Sequence, residues 1–267
     1  MLDLMIFSKN RALQLYALLE SIEKYTNPRD VTVNVLHKYE GVHAETLAEI
    51  KQRFQSCNFI EEINFKEHVE EFLSAPGTVA AFLTDDIILK EHVDILQIEQ
   101  IMLSNPGTLG FSLRLGLHVY DCYALNKEQP VPLGNVYPPN LFVWNWRDAK
   151  MDWEYVFSVD GHIFRKGHLR EWSSLIDYHH PNSYEESLQA CRGIRELPQS
   201  MVCFVTSRLV NLPINRVQDS HQNRCGDIDS SYLLEKWNAG LCLDIDRYHR
   251  VLNKGVHSEL ELFFKER

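Results

Sequence analysis

The sequence predicts an α/β fold, a mostly parallel central sheet flanked by helices with a smaller subregion beside it, and three features carry that expectation. Apolar runs of strand length alternate with helical patterns through the first half of the chain. The first run, Leu2 to Ser8, is dense in Leu, Met, Ile and Phe, which suits a strand buried on both faces. Strand-helix-strand order then implies parallel neighbours joined by right-handed crossovers.

A helix follows the first strand at once. Its apolar residues Leu13, Tyr16, Ala17, Leu19, Ile22 and Tyr25 recur at spacings of three and four, and Asn27-Pro28 stops it. Val31 to Leu36 reads as a strand, Glu45 to Phe54 as a helix, Asn58 to Ile63 and Thr78 to Thr84 as strands. Glu91 to Leu103 reads as a helix, Asn105-Pro106-Gly107 as a turn and Thr108 to Leu115 as a strand. The pattern then loosens: Asn126 to Asn140 holds four prolines and a glycine and suits a lid or loop. Val156 to Arg165 alternates like a strand, Leu169 to Ile176 and Tyr184 to Ile194 read as helices, and Met201 to Thr206 is a last clear strand. A polar stretch, Asn211 to Asp229, leads into a helix at Ser231 to Trp237. There is no internal repeat or low-complexity tract.

Of 267 residues, 45% are hydrophobic and 24% charged, which excludes disordered and collagen-like chains. Lys+Arg 27 against Asp+Glu 37 gives a net charge of −10, so a phosphate backbone is repelled and nucleic acid is not expected as a partner. No window approaches the roughly 18 to 20 unbroken apolar residues of a membrane helix, and Leu2 to Phe7 is too short for a signal peptide. The expectation is a soluble, cytoplasmic protein with no transmembrane segment. The six cysteines are scattered, with no pair at zinc-knuckle or redox spacing, so free thiols are expected.

In an open parallel sheet, ligands gather at the carboxyl ends of the strands. Ser8-Lys9-Asn10-Arg11 closes the first strand and opens a helix, putting backbone amides and two cations near an anion; alternatively Ser8 or Asn10 merely caps the helix. No glycine-rich phosphate loop is present. Thr84-Asp85-Asp86 places two mutually repelling carboxylates after an apolar strand. A divalent cation, Mg²⁺ or Mn²⁺, would remove that repulsion, while an Asp N-cap for the next helix is the competing explanation.

With these residues assembled, the chain resembles glycosyltransferases of the GT-A (Rossmann-like) fold, in the neighbourhood of the family 2 enzymes. Ile6-Phe7-Ser8-Lys9-Asn10-Arg11 before an amphipathic helix resembles their nucleotide-binding start, and Thr84-Asp85-Asp86 their acidic metal motif without its usual spacer. The likeness covers roughly residues 1 to 207. It implies a single domain, with a nucleotide-binding half at 1–116, an acceptor and catalytic half at 117–207, and a segment at 208–267 closing over the site. It also implies that Ser8, Lys9, Asn10, Arg11 and Asp85 contact the nucleotide, and that Asp86 binds the metal on the sugar-nucleotide diphosphate. Ser158 to Lys166 resembles the strand beneath the donor sugar, with Asp160 toward its hydroxyls, or simply forming an Asp-Gly turn. Asn182 to Leu188 resembles the later helix that starts with a catalytic carboxylate, which makes Glu185 the general base with Glu186 behind it. Two Glu in a first helical turn also favour the dipole.

Enzymes of this fold often recruit a histidine near the C-terminus as a metal ligand, and His257 and His221 are the leading candidates, with His249 as a third. His179-His180-Pro181 is too local for a metal site. Trp144, Trp146, Trp153 and Tyr155 could stack on an acceptor sugar or pack the core; the interleaved Asn145, Arg147 and Asp148 favour a cleft wall. The resulting expectation is a metal-dependent hexosyltransferase-type enzyme of polysaccharide biosynthesis. It would move sugar from a nucleoside-diphosphate sugar to a carbohydrate or other hydroxyl acceptor, with inversion. A silent sugar- or nucleotide-binding module and a nucleotidyltransferase are the rivals, and the latter's usual glycine- and basic-rich loop is missing.

Overall fold

The structure, a computed structural model, describes residues 1–194, 196–215 and 224–267. In chain order the elements begin β1 (Leu2–Lys9), α1 (Ala12–Tyr25), β2 (Val31–Lys38), α2 (Ala44–Arg53), β3 (Asn58–Glu61), α3 (Phe65–Ser74) and β4 (Val79–Thr84). They continue with β5 (Ile87–Leu89), α4 (Ile95–Ser104), β6 (Thr108–Ser112), β7 (Asp121–Cys122), β8 (Lys127–Glu128), β9 (Gly134–Tyr137) and β10 (Leu141–Asn145). The rest are β11 (His162–Arg165), α5 (Lys166–Ser174), α6 (Pro181–Ala190), β12 (Ser200–Phe204), β13 (Leu209–Asn211), α7 (Ser230–Asn238), β14 (Leu241–Leu243) and β15 (Phe264–Glu266).

The main sheet has nine strands in the order β3-β2-β1-β4-β11-β6-β12-β10-β9. β3, β2, β1 and β4 are mutually parallel, β11 lies antiparallel between β4 and β6, and β12 runs parallel to β6. β10 is antiparallel to both β12 and β9, so only β10 and β11 run against the others and the sheet is mostly parallel, as the alternation predicts. The period of two sends successive side chains of each strand to opposite faces. Leu2, Leu4 and Ile6 pack with α1, α2 and the C-terminal residues on one face, while Met5 and Phe7 pack with α3, α5 and α6 on the other. Burial on both faces is why β1 reads as an almost unbroken apolar run.

Several boundaries differ from the sequence expectation, each for a local reason. α3 was not anticipated, yet Phe65, Val69, Phe72 and Leu73 bury one helical stripe and the Asn64 side chain accepts from the Glu67 N–H at the N-cap. α4 starts at Ile95 rather than near Glu91, because Asp94 caps it by accepting from the Gln97 N–H. The expected strand at Val156 to Arg165 shrinks to β11, since Gly161 turns the chain with φ +86°. α6 starts at Pro181, three residues earlier than expected. Pro occupies its first turn, and a His180–Ser183 capping box closes its end. Part of the proline-rich stretch is not a loop: β9 pairs with β10 as the edge of the main sheet.

All six cysteines are unpaired. Among the described residues, no helix is long and apolar enough to cross a membrane.

Candidate active site

A cavity of about 770 Å³ lies across the carboxyl ends of β1 and β4. It is lined by Ser8, Lys9 and Arg11, by Thr84, Asp85 and Asp86, and by Arg114, Asp160, Glu185 and His257. Parallel strands deliver these ends together because crossovers return each strand in the same direction, so chemistry spaced far apart in sequence converges at one rim.

The acidic pair is held by the first strand's exit. Asp85 is buried at 3% exposure and accepts from the Ser8 hydroxyl at 2.9 Å, the Lys9 backbone N–H at 3.3 Å and Arg11 Nη1 at 2.9 Å. The same Arg11 nitrogen reaches Asp86 Oδ2 at 3.2 Å, so one guanidinium bridges both carboxylates and offsets part of their repulsion. Arg11 also donates to the Asn215 carbonyl, and its Nε is buried without a partner among the described residues. Burial pushes Asp85 up from the ordinary carboxylate range, and the charge of Asp86 adds to that, while Arg11 opposes both.

These contacts decide the capping question. Arg11 itself occupies the N-cap of α1 with no side-chain cap, so Ser8 and Asn10 are free for other work: Ser8 grips Asp85, and Asn10, at φ +54°, accepts from the Glu40 N–H. The Asp85-Asp86 pair is likewise not a cap, since β5 intervenes before α4.

From the acidic pair a hydrogen-bonded chain runs to Asp160. Asn211 Nδ2 donates to Asp86 Oδ1 at 2.9 Å and to Thr84 Oγ1 at 3.3 Å, and Thr84 Oγ1 donates to Asp160 Oδ1 at 2.7 Å. His257 Nε2 sits 3.1 Å from Asp160 Oδ2, and Arg114 Nη1 lies 3.6 Å from the same oxygen. His257 arrives beside Asn211 through a parallel backbone bridge between the two residues. Despite burial, the hydrogen bond and charge of His257, then Arg114, hold Asp160 well below the usual carboxylate range. Gly161 supplies the turn that aims Asp160 at these partners.

Glu185, on the second turn of α6 rather than the first, projects into the same cavity beside Tyr155. Burial and the neighbouring Asp160 push it up to about 7, while Arg114 and the Ser158 hydroxyl oppose the shift. The two carboxylates are thus driven apart in proton affinity, one held ionised and one poised near neutrality. Glu186 on the same helix is exposed and does not line the cavity.

Three contributors, Arg114, Asn211 and Thr84, are not singled out individually by the sequence pattern. Arg114 is 3% exposed, donates to Ser158 Oγ and, through Nη2, to Asp152 Oδ1 at 3.3 Å; an arginine inside the apolar run Thr108 to Leu115 was the available signal. Asp152 is fixed in turn by Gln129, which donates to Asp152 Oδ2 at 2.9 Å and accepts from the Asp152 N–H at 3.0 Å.

Other expectations are corrected. Trp144, Trp146 and Trp153 do not form a cleft wall: all are buried, and their indole N–H groups donate to the carbonyls of Trp153, Pro198 and Val119 respectively. Trp144 and Trp153 meet edge to face at 4.9 Å, which is core packing; of that group only Tyr155 lines the cavity. His249 lies outside the cavity, stacked on Tyr25. His221 lies outside the described residues.

Among the described residues, no three His, Cys, Asp or Glu side chains converge as a ready metal cluster. Two oxygens at the cavity nevertheless suit a hard cation. Asp86 is partly exposed to the cavity, and the buried Asn211 Oδ1 beside it has no hydrogen-bond partner among the described residues.

No family model matches the chain. It is similar to bifunctional glycosyltransferase pgtA of Dictyostelium discoideum, at 25% identity over 253 residues, covering 81% of this chain and 32% of that protein. The chain therefore spans about a third of that relative's length. Among solved structures it overlaps TarS 1-349 of S. aureus in complex with UDP-GlcNAc at 12% identity and TM-score 0.48, over 76% of this chain and 56% of that one. It overlaps the mannosyltransferase PcManGT of Pyrobaculum calidifontis, in complex with GDP-Man and Mn²⁺, at 13% identity and TM-score 0.44, over 75% and 53%. At these scores the overlaps define no detail of the site.

Proposed function

We propose that the chain is a glycosyltransferase that moves a sugar from a nucleoside-diphosphate sugar to a hydroxyl acceptor with inversion. The observation that carries this reading is one cavity lined both by the Asp85-Asp86 pair and by Glu185, whose proton affinity burial and Asp160 raise to about 7. The likeness to a named glycosyltransferase supports it.

In this reading Lys9 and the backbone around Ser8 to Arg11 face the diphosphate, and Arg11 keeps the acidic pair compatible with a second anion nearby. Asp160, fixed by Thr84, His257 and Arg114, presents an ionised carboxylate toward donor-sugar hydroxyls. Glu185 takes the proton from the acceptor hydroxyl as that oxygen attacks the anomeric carbon and the diphosphate leaves. A base with proton affinity near 7 is half-available at neutral pH and strong enough to assist. Holding donor and acceptor in line supplies the rest of the advantage.

Asp86 and Asn211 Oδ1, completed by diphosphate oxygens, would hold Mg²⁺ or Mn²⁺, while the Nε2 of His257 is engaged by Asp160. When bound, such an ion neutralises charge on the departing diphosphate. The remaining segment, through Asn211, Asn215 and His257, lines the cavity from the C-terminal side, consistent with closure over the donor.

The test is Glu185→Gln, which keeps shape and removes the base. Transfer should fall by about 10² to 10⁴-fold with donor affinity unchanged. Full activity in this variant would sink the assignment.

A further inference from the structure

We propose that Lys90 is a positioning residue: its buried ammonium keys the segment from Val251 to His257 to the strand that follows the acidic pair, and so sets His257 on Asp160. The part this plays in catalysis rests on reading the cavity as a transferase site.

Three stretches run side by side away from the cavity. β5 begins immediately after Asp86 and pairs with β13, Ile87 opposite Asn211 and Leu89 opposite Leu209. On the other side of β13, the Asn211 N–H donates to the Val256 carbonyl at 3.1 Å and the Asn211 carbonyl accepts from the Ser258 N–H at 3.0 Å. These bonds align His257 with Asn211, so Ile87, Asn211 and His257 form one row at the cavity rim.

Lys90 closes the far end. It lies four residues beyond Asp86, roughly 13 Å along an extended chain, and it is fully buried. Its N–H donates to the Arg208 carbonyl at 2.9 Å and its carbonyl accepts from the Arg250 N–H at 3.1 Å, which ties its backbone to both neighbouring stretches. The side chain takes a second hold further along the same segment, where Nζ donates to the Val251 carbonyl at 2.5 Å and to Asn253 Oδ1 at 2.7 Å. Asn253 passes the constraint on, since its Nδ2 donates to the Gly255 carbonyl at 2.7 Å, two residues before His257. Val251 to Lys254 belongs to no helix or strand, so no ladder of its own fixes its register along β13. The Tyr120 and Asp121 N–H groups hold the Lys254 carbonyl, and Lys90 supplies the tie to the strand of the acidic pair.

The polar atoms around Lys90 have one consistent direction. Burial pushes Lys90 down to about 8, so it remains an ammonium at neutral pH. Asn253 Oδ1 also accepts from the Ser207 hydroxyl at 3.4 Å, and Ser207 Oγ stands 3.2 Å from His118 Nε2. With the Ser207 proton directed at Asn253, the His118 ring donates; burial and the charge of Lys90 push it down to about 4, which keeps it neutral. Desolvating an ammonium is expensive, and an apolar side chain of similar length would fill the space without that cost. What the ammonium adds is a grip on two oxygens of one segment at a set spacing, which apolar packing does not specify.

The test replaces Lys90 by methionine in the full chain, labelled with ¹⁵N on histidine. The His257 ring signal, identified by its loss in His257→Ala, should move in Lys90→Met most of the way to its position in Asp160→Ala. Tm should stay within about 4 °C of wild type, because relieving a buried charge offsets the lost hydrogen bonds. Transfer, read as kcat/KM, should fall about 10- to 100-fold in Lys90→Met and in His257→Ala alike, and the double variant should lie within about threefold of the weaker single. A purely stabilising lysine predicts the reverse: a lower Tm, an unmoved His257 signal and losses that multiply. An unmoved His257 signal in folded Lys90→Met, or multiplying losses, would overturn the proposal. Should Lys90→Met not fold, Asn253→Ala, which removes an oxygen that Lys90 holds, is read in the same way. If the wild type transfers no sugar from any donor, the transferase reading fails, and the ring signal still decides the positioning.

Discussion

Replacing Arg114 with methionine tests the cavity's electrostatic frame, because this buried guanidinium touches three groups that depend on it. It lies 3.3 Å from Asp152 and 3.6 Å from Asp160, and it also donates to Ser158. Removing one partner from a buried ion pair costs about 3–5 kcal/mol, since the other charge stays desolvated. Asp152 keeps Gln129, and Asp160 keeps Thr84 and His257, which points to the lower figure, ~3 kcal/mol. For a chain of this size that lowers Tm by roughly 6–12 °C. A second consequence is chemical. Arg114 opposes the rise in proton affinity of Glu185, so its loss should move the acid limb of kcat/KM against pH upward from about 7. The sign follows from the role: a base works only once deprotonated, so activity rises with pH through the Glu185 value. Arg114→Lys keeps the charge without the planar fork and should fall between wild type and Arg114→Met in both readouts. Thermal unfolding and a pH-rate profile check it; a Tm within 2 °C of wild type, or a limb that moves downward, would refute the reasoning.

Three further perturbations have defined outcomes. Gly161→Ala places a Cβ 2.4 Å from Leu209 Cδ2 at a φ of +86°, and strain plus overpacking should cost about 2–4 kcal/mol, read by chemical denaturation, with transfer activity falling as Asp160 is displaced. Trp153→Ala should cost about 3–5 kcal/mol of stability, while the surviving folded enzyme keeps its acceptor KM, because this ring is fully buried and faces no ligand. A nucleoside diphosphate at about a hundred times its Kd with Mn²⁺ should raise the wild-type Tm by roughly 5–10 °C, and Asp86→Ala should lose most of that shift while Asp85 retains Arg11.

The parts of the fold that sequence patterning anticipated are those where one physical signal dominates. β1 and β4 are apolar on both faces, and α1 repeats at three and four, so nothing competes with their reading. The acidic pair was legible because packing offers no reason for adjacent carboxylates after a buried strand. Asp160, Glu185 and His257 are each suggested by the family resemblance rather than by periodicity or spacing, and the structure brings all three to the cavity with Asp86. What was not legible depended on contacts between distant segments. Whether Trp144 and Trp153 face a cleft or a core turns on where their N–H groups find carbonyls, and those lie at Trp153 and Val119. Arg114 looked like one charge in an apolar strand, and only the folded chain shows the Asp152, Ser158 and Asp160 groups that bury it. α3 had its capping Asn64 and apolar stripe in plain sequence, and was masked by the charged residues between them.

The most direct test of the account follows the anomeric proton by NMR. Donors that shift the Tm are incubated with Mn²⁺ and a panel of p-nitrophenyl glycoside acceptors, using wild type and Glu185→Gln. The account predicts a product whose anomeric configuration is opposite to that of the donor, formed by wild type and lost in Glu185→Gln while both proteins bind the donor equally. A product of retained configuration, or equal turnover by the two proteins, would contradict it.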